Sequence, residues 1–261
     1  MTIELAIINQ WIAEHALVFA RIAGMTSSMV ILGTRNVPIR IRLFTAIALT
    51  IITVPVVSVP DVAVDEVFSL AMSIQVMMQT VIGLAIGFVT RLVFETFVVA
   101  GQVIAMQTGL GFASLVDPSS GVSVPALGQL LVMMATLIFL SLDGHLQMIQ
   151  VIVLSFESLP ISESVVFFAG IDKMIYWAQS IFTTAFMMVL SAVVALLVVN
   201  LSFGVMTRAA PQINLFVIGF PVTMIAGLMI VWLILRSFIP HFIAQIESGQ
   251  SLICQLLLVE C

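Results

Sequence analysis

The sequence predicts an all-α polytopic membrane protein built from broken helices and helical hairpins. Three observations carry that prediction. Of 261 residues, 62% are hydrophobic and 8% charged, with a mean hydropathy of +1.27. A soluble domain has about a quarter of its residues charged, and one core of this size cannot hide so many apolar side chains. The apolar runs are also poorly matched to one bilayer thickness. Finally, the stretch MQTGLGFASLVDPSSGVSVPALGQ at 106–129 interrupts them with four glycines, two prolines, four serines and a single charge, Asp117.

Apolar runs lie at 11–32, 43–59, 67–90, 92–106, 130–142, 174–206 and 215–238. A hydrocarbon core asks for about 20 helical residues. The first run has no Lys or Arg before it, so no cleavable signal peptide is expected and the first helix stays. On it Glu14, Arg21 and Ser28 recur every seven residues with Gly24 between them, which makes one polar, small-residue stripe. Arg21 reads as an ion or proton site, or as a charge used in packing. Packing is favoured, because a charge in a span rarely faces lipid and usually finds a partner. Glu14 is roughly 10 Å away along the axis, so the partner is expected on another helix or chain. The second run reaches Pro55 after about 12 residues, roughly 18 Å of helix. Between these runs, GTRNVPIRIR carries Arg35, Arg40 and Arg42, whereas the next connection carries Asp61, Asp65 and Glu66. The positive-inside rule puts the first loop in the cytoplasm and the N-terminus outside.

Residues 67–106 form one span or a hairpin, interrupted by Arg91 and Glu95 at the spacing of a helical ion pair. Gly83 and Gly87 form GxxxG, and Gly101, Ala105 and Gly109 continue small residues at every fourth position. Such faces let backbones approach closely and are expected to be buried by partners. Residues 130–142 are short unless they continue through DGH into 146–156. Residues 174–206 are too long, roughly 50 Å against a core of about 30 Å. Their face bearing Thr184, Ser191, Ala195 and Ser202 reads as a protein interface, since lipid would favour large apolar residues there. In PQINLFVIGFPV, Pro211 lacks an N–H and pushes Ala210 out of helical geometry. A break before the last helix follows, with Gln212 and Asn214 bonding freed carbonyls and Pro221 in the same break or interface.

The sequence holds no phosphate-binding loop, no HExxH and no Gly-x-Ser-x-Gly. His15, His145 and His241 are scattered, and Cys254 and Cys261 lack metal-ligand companions and read as incidental thiols. Neither a metal nor another cofactor is expected, and an enzyme reading has no catalytic set. With a net charge of −5 and no basic patch read in the sequence, nucleic acid is not an expected partner. In the central stretch, Gly109 and Gly111 relax the backbone where a helix ends. Asp117, Pro118 and Gly121 supply turn chemistry, and Pro125 restarts a helix at its first turn. A plain connector explains these turns but not Leu110, Phe112, Leu115 and Val116 on so free a backbone. A loop folded into a pore or cavity explains both, because irregular backbone at membrane depth is tolerated inside protein or along a water-filled path.

Three segments, GQVIAMQTGLGFASLVDPSSGVSVPALGQ, LDGHLQMIQVIVLSFESLP and RAAPQINLFVIGFPV, resemble the FliR family of the bacterial flagellar type III export apparatus. The likeness runs from about residue 5 to 240. The resemblance implies a FliP-like helical part over 1–173, containing the central loop 106–128, and a FliQ-like hairpin and tail over 174–261. It also implies assembly with FliP and FliQ into a cone-shaped export gate in the bacterial inner membrane at the flagellar basal body. FlhB and FlhA are then further partners, membrane lipid surrounds the gate, and unfolded flagellar proteins are its cargo. In this family the loop corresponding to 106–122 projects into the closed channel as a plug, which implies that role for Gly109, Leu110, Gly111, Phe112, Leu115, Val116, Asp117 and Pro118. Much of such a gate sits above the membrane plane, which accounts for ill-matched helix lengths. The alternatives are an injectisome homologue and a proton-coupled secondary transporter using Arg21, Glu95 and Asp143.

Overall fold

The computed structural model describes residues 2–57, 69–112, 114–116, 123–161, 170–209 and 215–257. Seven helices and one short ribbon make up the described chain: α1 (Thr2–Ser28), α2 (Ile39–Thr53), α3 (Leu70–Thr108), β1 (Ser114–Val116), β2 (Ser123–Pro125), α4 (Ala126–Ser141), α5 (Gly144–Ser158), α6 (Ile171–Ala209) and α7 (Leu215–Leu257). Four stretches are long and apolar enough to cross a membrane: Ile39–Val56, Leu70–Thr108, Ile171–Ala209 and Pro221–Leu257. The pair α4 and α5 adds a fifth if read as one broken span. The fold is that of an all-α polytopic membrane protein.

Local chemistry sets the helix ends. Pro38 enters α2 in an extended conformation, and a 3-10 turn at Val54–Val56 closes it around Pro55. The span is therefore longer than the run from residue 43 suggested. Arg91 and Glu95 do not divide 67–106 into a hairpin; they lie half-buried on the continuous α3, and neither is without a partner. Between α4 and α5 the chain does break, at Asp143, which has φ 55°. Asp tolerates this left-handed conformation better than most residues. Its carbonyl accepts bonds from Leu146 and Gln147 and so starts α5. At 39 residues, α6 places Asp172 in its first turn and Arg208 in its last, both favourable to the helix dipole.

The described part of α6 ends at Ala209 and α7 is described from Leu215; the expected break, with Pro211, Gln212 and Asn214, lies outside the described residues. Pro221 corrects the expectation: α7 runs through it and through Pro240. A proline frees one carbonyl and displaces the backbone four residues back, but in membrane helices neighbouring groups re-satisfy that carbonyl and the helix continues. Cys254 is disulfide-bonded, so for that residue the reading as an incidental thiol is also corrected.

The chain divides into two compact units. Unit 1 comprises 1–91, 140–177 and 249–261; unit 2 comprises 92–139 and 178–248. This division by packing cuts across the sequence division at 173/174, which rests on family resemblance. In unit 1, α1 crosses the first half of α3 at glycines. A Cβ on Gly83 would collide with the Arg21 carbonyl, one on Gly87 with Ser28 and the Met25 carbonyl, and one on Gly24 with the Thr80 carbonyl. The GxxxG face is thus covered by the chain's own α1, which corrects the expectation of a partner at that face. Unit 2 is built around rings: Phe97 lies 5.0 Å from Phe238 and 5.5 Å from Phe242, and Phe94 packs edge-on against Phe139 and Phe242. Gln245, buried among these helices, donates to Thr96 Oγ1 at 3.1 Å.

Candidate functional site

The central loop belongs to unit 2, and its geometry starts from its two stems. The first is the end of α3. Thr108 is fully buried there, and α7 approaches so closely that a Cβ on Gly227 would collide with the Thr108 side chain. The second stem is the start of α4. A Cβ on Gly101 of α3 would collide with the backbone of Gly128, so these helices meet backbone to backbone just inside the loop.

Between the stems the chain turns sharply. Gly109 has φ 75°, a conformation that L side chains avoid. Gly111 has no such requirement, and an added Cβ would make only ordinary contacts. Leu110–Phe112 form a single 3-10 turn. Then β1 and β2 pair antiparallel, with Ser114 opposite Pro125, Leu115 opposite Val124 and Val116 opposite Ser123. The stretch that reads as irregular is therefore a small hairpin with fixed register. Pro125 ends the ribbon rather than opening the helix, and α4 begins one residue later. Asp117, Pro118 and Gly121 lie outside the described residues. Leu110 and Gly111 are half-buried.

Arg21 organises unit 1. Its side chain is fully buried. Nε donates to Gln79 Oε1 at 2.6 Å, Nη1 to the Ser155 carbonyl at 2.7 Å and Ser155 Oγ at 3.1 Å, and Nη2 to the Leu159 carbonyl at 3.0 Å. The guanidinium also lies over the Phe156 ring, 4.2 Å from its centroid. All these acceptors are neutral. Ser155 is in the last turn of α5 and Leu159 is its C-cap, so Arg21 bonds the Leu159 carbonyl that the helix end leaves open and adds a second donor to the Ser155 carbonyl, which also accepts from the Leu159 N–H. The negative end of the α5 dipole takes the place of a carboxylate. Glu14 bonds to Gln10 instead, and Asp143 is exposed at the α4–α5 turn. Neither Glu95 nor Asp143, the other residues of the transporter reading, is a hydrogen-bond partner of Arg21 among the described residues.

The fold leaves a different stripe uncovered. On α6 the buried side chains are Ile181, Ala185, Met188, Val189, Ala192 and Leu196. Ser191, Ala195 and Ser202 are exposed and Thr184 is half-buried.

The comparisons fit this helical arrangement. Residues 12–249 match the family described as "Bacterial export proteins, family 1". The "Flagellar biosynthetic protein FliR" of Escherichia coli (strain K12) is 33% identical over 244 residues, covering 91% of this chain and 92% of its own length. That of Pectobacterium carotovorum subsp. carotovorum is 31% identical over 238 residues, covering 91% and 90%. That of Bacillus subtilis (strain 168) is 28% identical over 252 residues, covering 91% and 93%. The chain belongs to the FliR family. It is a flagellar export component: the family is described as one of export proteins, and the relatives are named flagellar biosynthetic proteins. The sequence reading missed two functional features of this FliR-family chain. One is the hairpin pairing; the other is the α5 terminus as the partner of Arg21, which depends on backbone carbonyls that no residue type announces.

Proposed function

We propose that this chain is a subunit of the flagellar type III export gate and that residues 106–128 form its resting seal. The supporting observation is a small hairpin between two stems fixed by close contacts at glycines, Gly101 against Gly128 and Gly227 against the Thr108 side chain. A ribbon of three residue pairs is marginally stable by itself. It can therefore part or swing while the stems stay packed. A gate for unfolded protein has to exclude ions at rest and later admit a chain several times wider. Apolar side chains close a constriction by dewetting it, without charges that attract ions. Leu110, Phe112, Leu115 and Val116 are the apolar residues of this loop, with Gly109 as its pivot.

On this reading FliP and FliQ complete the gate, FlhB and FlhA adjoin it, and unfolded flagellar proteins pass through it. The gate lies in the bacterial inner membrane at the basal body, with the N-terminus periplasmic. The uncovered stripe on α6 suits a partner helix, because small residues mark protein contacts within membranes. The test is deletion of residues 110–120 in cells carrying the other flagellar genes, with particle assembly and small-ion conductance measured in parallel. Assembly is expected to persist while the membrane becomes leaky. An assembled particle in a membrane as tight as wild type would reduce the loop to a connector.

A further inference from the structure

The first loop and α2 form a surface unlike the rest of unit 1. Along α2 the buried residues are Ala46, Thr50 and Thr53, one narrow stripe of small side chains packed inward. Large apolar residues point outward: Ile39 is 77% exposed, Phe44 68% and Ile52 68%, with Ile41, Leu43 and Ile51 also exposed. Within membranes, small residues mark helix–helix contacts, and large apolar ones suit acyl chains. The stretch Ile39–Val56 has 18 residues, about 27 Å of helix, close to a hydrocarbon core of about 30 Å.

Positive charge gathers at the N-terminal end of this helix. Arg42 is used internally: Nε donates to the Leu32 carbonyl and Nη2 to the Thr34 carbonyl, each at 3.0 Å. These bonds draw residue 34 onto the first turn of α2, so that Arg35 and Arg40 share one end of the helix. Both are exposed, and no bond to either occurs among the described residues. The sequence carries no Asp or Glu from 15 to 60, so no acidic neighbour along the chain neutralises them. An apolar groove of about 400 Å³ between α1 and α2 is lined by Trp11, Ile12, Phe19, Ile47 and Ile51. Ile47 and Ile51 lie roughly 10 and 17 Å along the helix from Arg40, within reach of an acyl chain whose headgroup sits at the arginines.

We infer that Arg35 and Arg40 form a binding site for the phosphate of an anionic phospholipid, whose acyl chain runs along α2. The chemistry is a charge-assisted contact from two guanidinium groups at headgroup depth, beside a helix face suited to hydrocarbon. Three arginines at one helix end are too few for nucleic acid, and large side chains along α2 are a poor surface for a partner helix.

The test uses the full chain, expressed with the other flagellar genes and extracted mildly. Native mass spectrometry reads retained phosphatidylglycerol against phosphatidylcholine. Each arginine near a membrane surface is worth about five-fold in affinity for anionic lipid, so R35Q/R40Q is expected to lose about 30-fold of the preference for phosphatidylglycerol. R35K/R40K is expected to keep most of it, and Arg42 is left intact to hold the loop. If R35Q/R40Q fails to accumulate, the wild type decides alone: equal retention of the two lipids overturns the site. An unchanged preference in R35Q/R40Q overturns it too. So does a photo-crosslinker at position 40 that captures a protein subunit rather than lipid.

Discussion

Unit 1 is held at its centre by a buried cation and unit 2 by a cluster of aromatic rings. Arg21 ties α1, α3 and α5 together through directional bonds to fixed acceptors. Phe94, Phe97, Phe139, Phe238 and Phe242 fill the core of unit 2 by contact alone. The difference teaches where precision and tolerance lie. A guanidinium that reaches from α1 to acceptors on α3 and at the end of α5 permits one register, because any slip leaves buried acceptors unpaired. Rings pack in several offset and edge-on arrangements at similar energy, so the unit that carries the loop can adjust around its stems. Even the buried amide of unit 2, Gln245, reaches side-chain hydroxyls on Thr96 and Ser180 rather than fixed carbonyls.

The largest expected effect breaks the cation. Arg21→Met keeps much of the volume but leaves the Leu159 carbonyl and Gln79 Oε1 without a donor, and the Ser155 carbonyl with the Leu159 N–H alone. Each buried acceptor left unsatisfied costs about 1–3 kcal/mol, so a loss of about 4 kcal/mol is expected. Thermal unfolding of the purified particle measures it. Arg21→Lys is expected to recover less than half, because an ammonium lacks the planar fork that reaches acceptors on two elements. Recovery to wild type would mean that charge alone, and not geometry, holds unit 1.

A smaller effect tests the crossing that supports Arg21. Gly83→Val places side-chain atoms against the Arg21 carbonyl, and overpacking of this kind costs about 1–3 kcal/mol. Proteolysis of the membrane-embedded chain between α2 and α3 is expected to accelerate. A chain that resists protease like wild type would show that α1 does not close on the GxxxG face.

The smallest effect sharpens the contrast from the other side. Gln245→Leu removes the bonds to Thr96 and Ser180 from unit 2 but keeps an apolar shape, and is expected to cost about 1 kcal/mol or less. Amide hydrogen exchange over 239–248 reads it locally. A loss as large as that of Arg21→Met would mean that unit 2 also turns on a polar hub.

Composition and residue pattern determined the class of this protein without a structure. So little charge on so many apolar residues admits only a membrane protein, and the segments around 106–129, 142–160 and 208–222 carry enough specific pattern to reach the family. The end of α3 at Gly109 and the break at Asp143 also lay within reach, because left-handed backbone belongs to few residue types. Tertiary structure alone decided which surfaces face one another. Gly83 and Gly87 read as a contact face, but only packing showed that α1 of the same chain fills it, while the stripe through Ser191 stays open. Two partners of Arg21 were hidden for a physical reason: they are backbone carbonyls, present at every position, and they come within its reach only where α5 ends, more than 130 residues from the cation they hold.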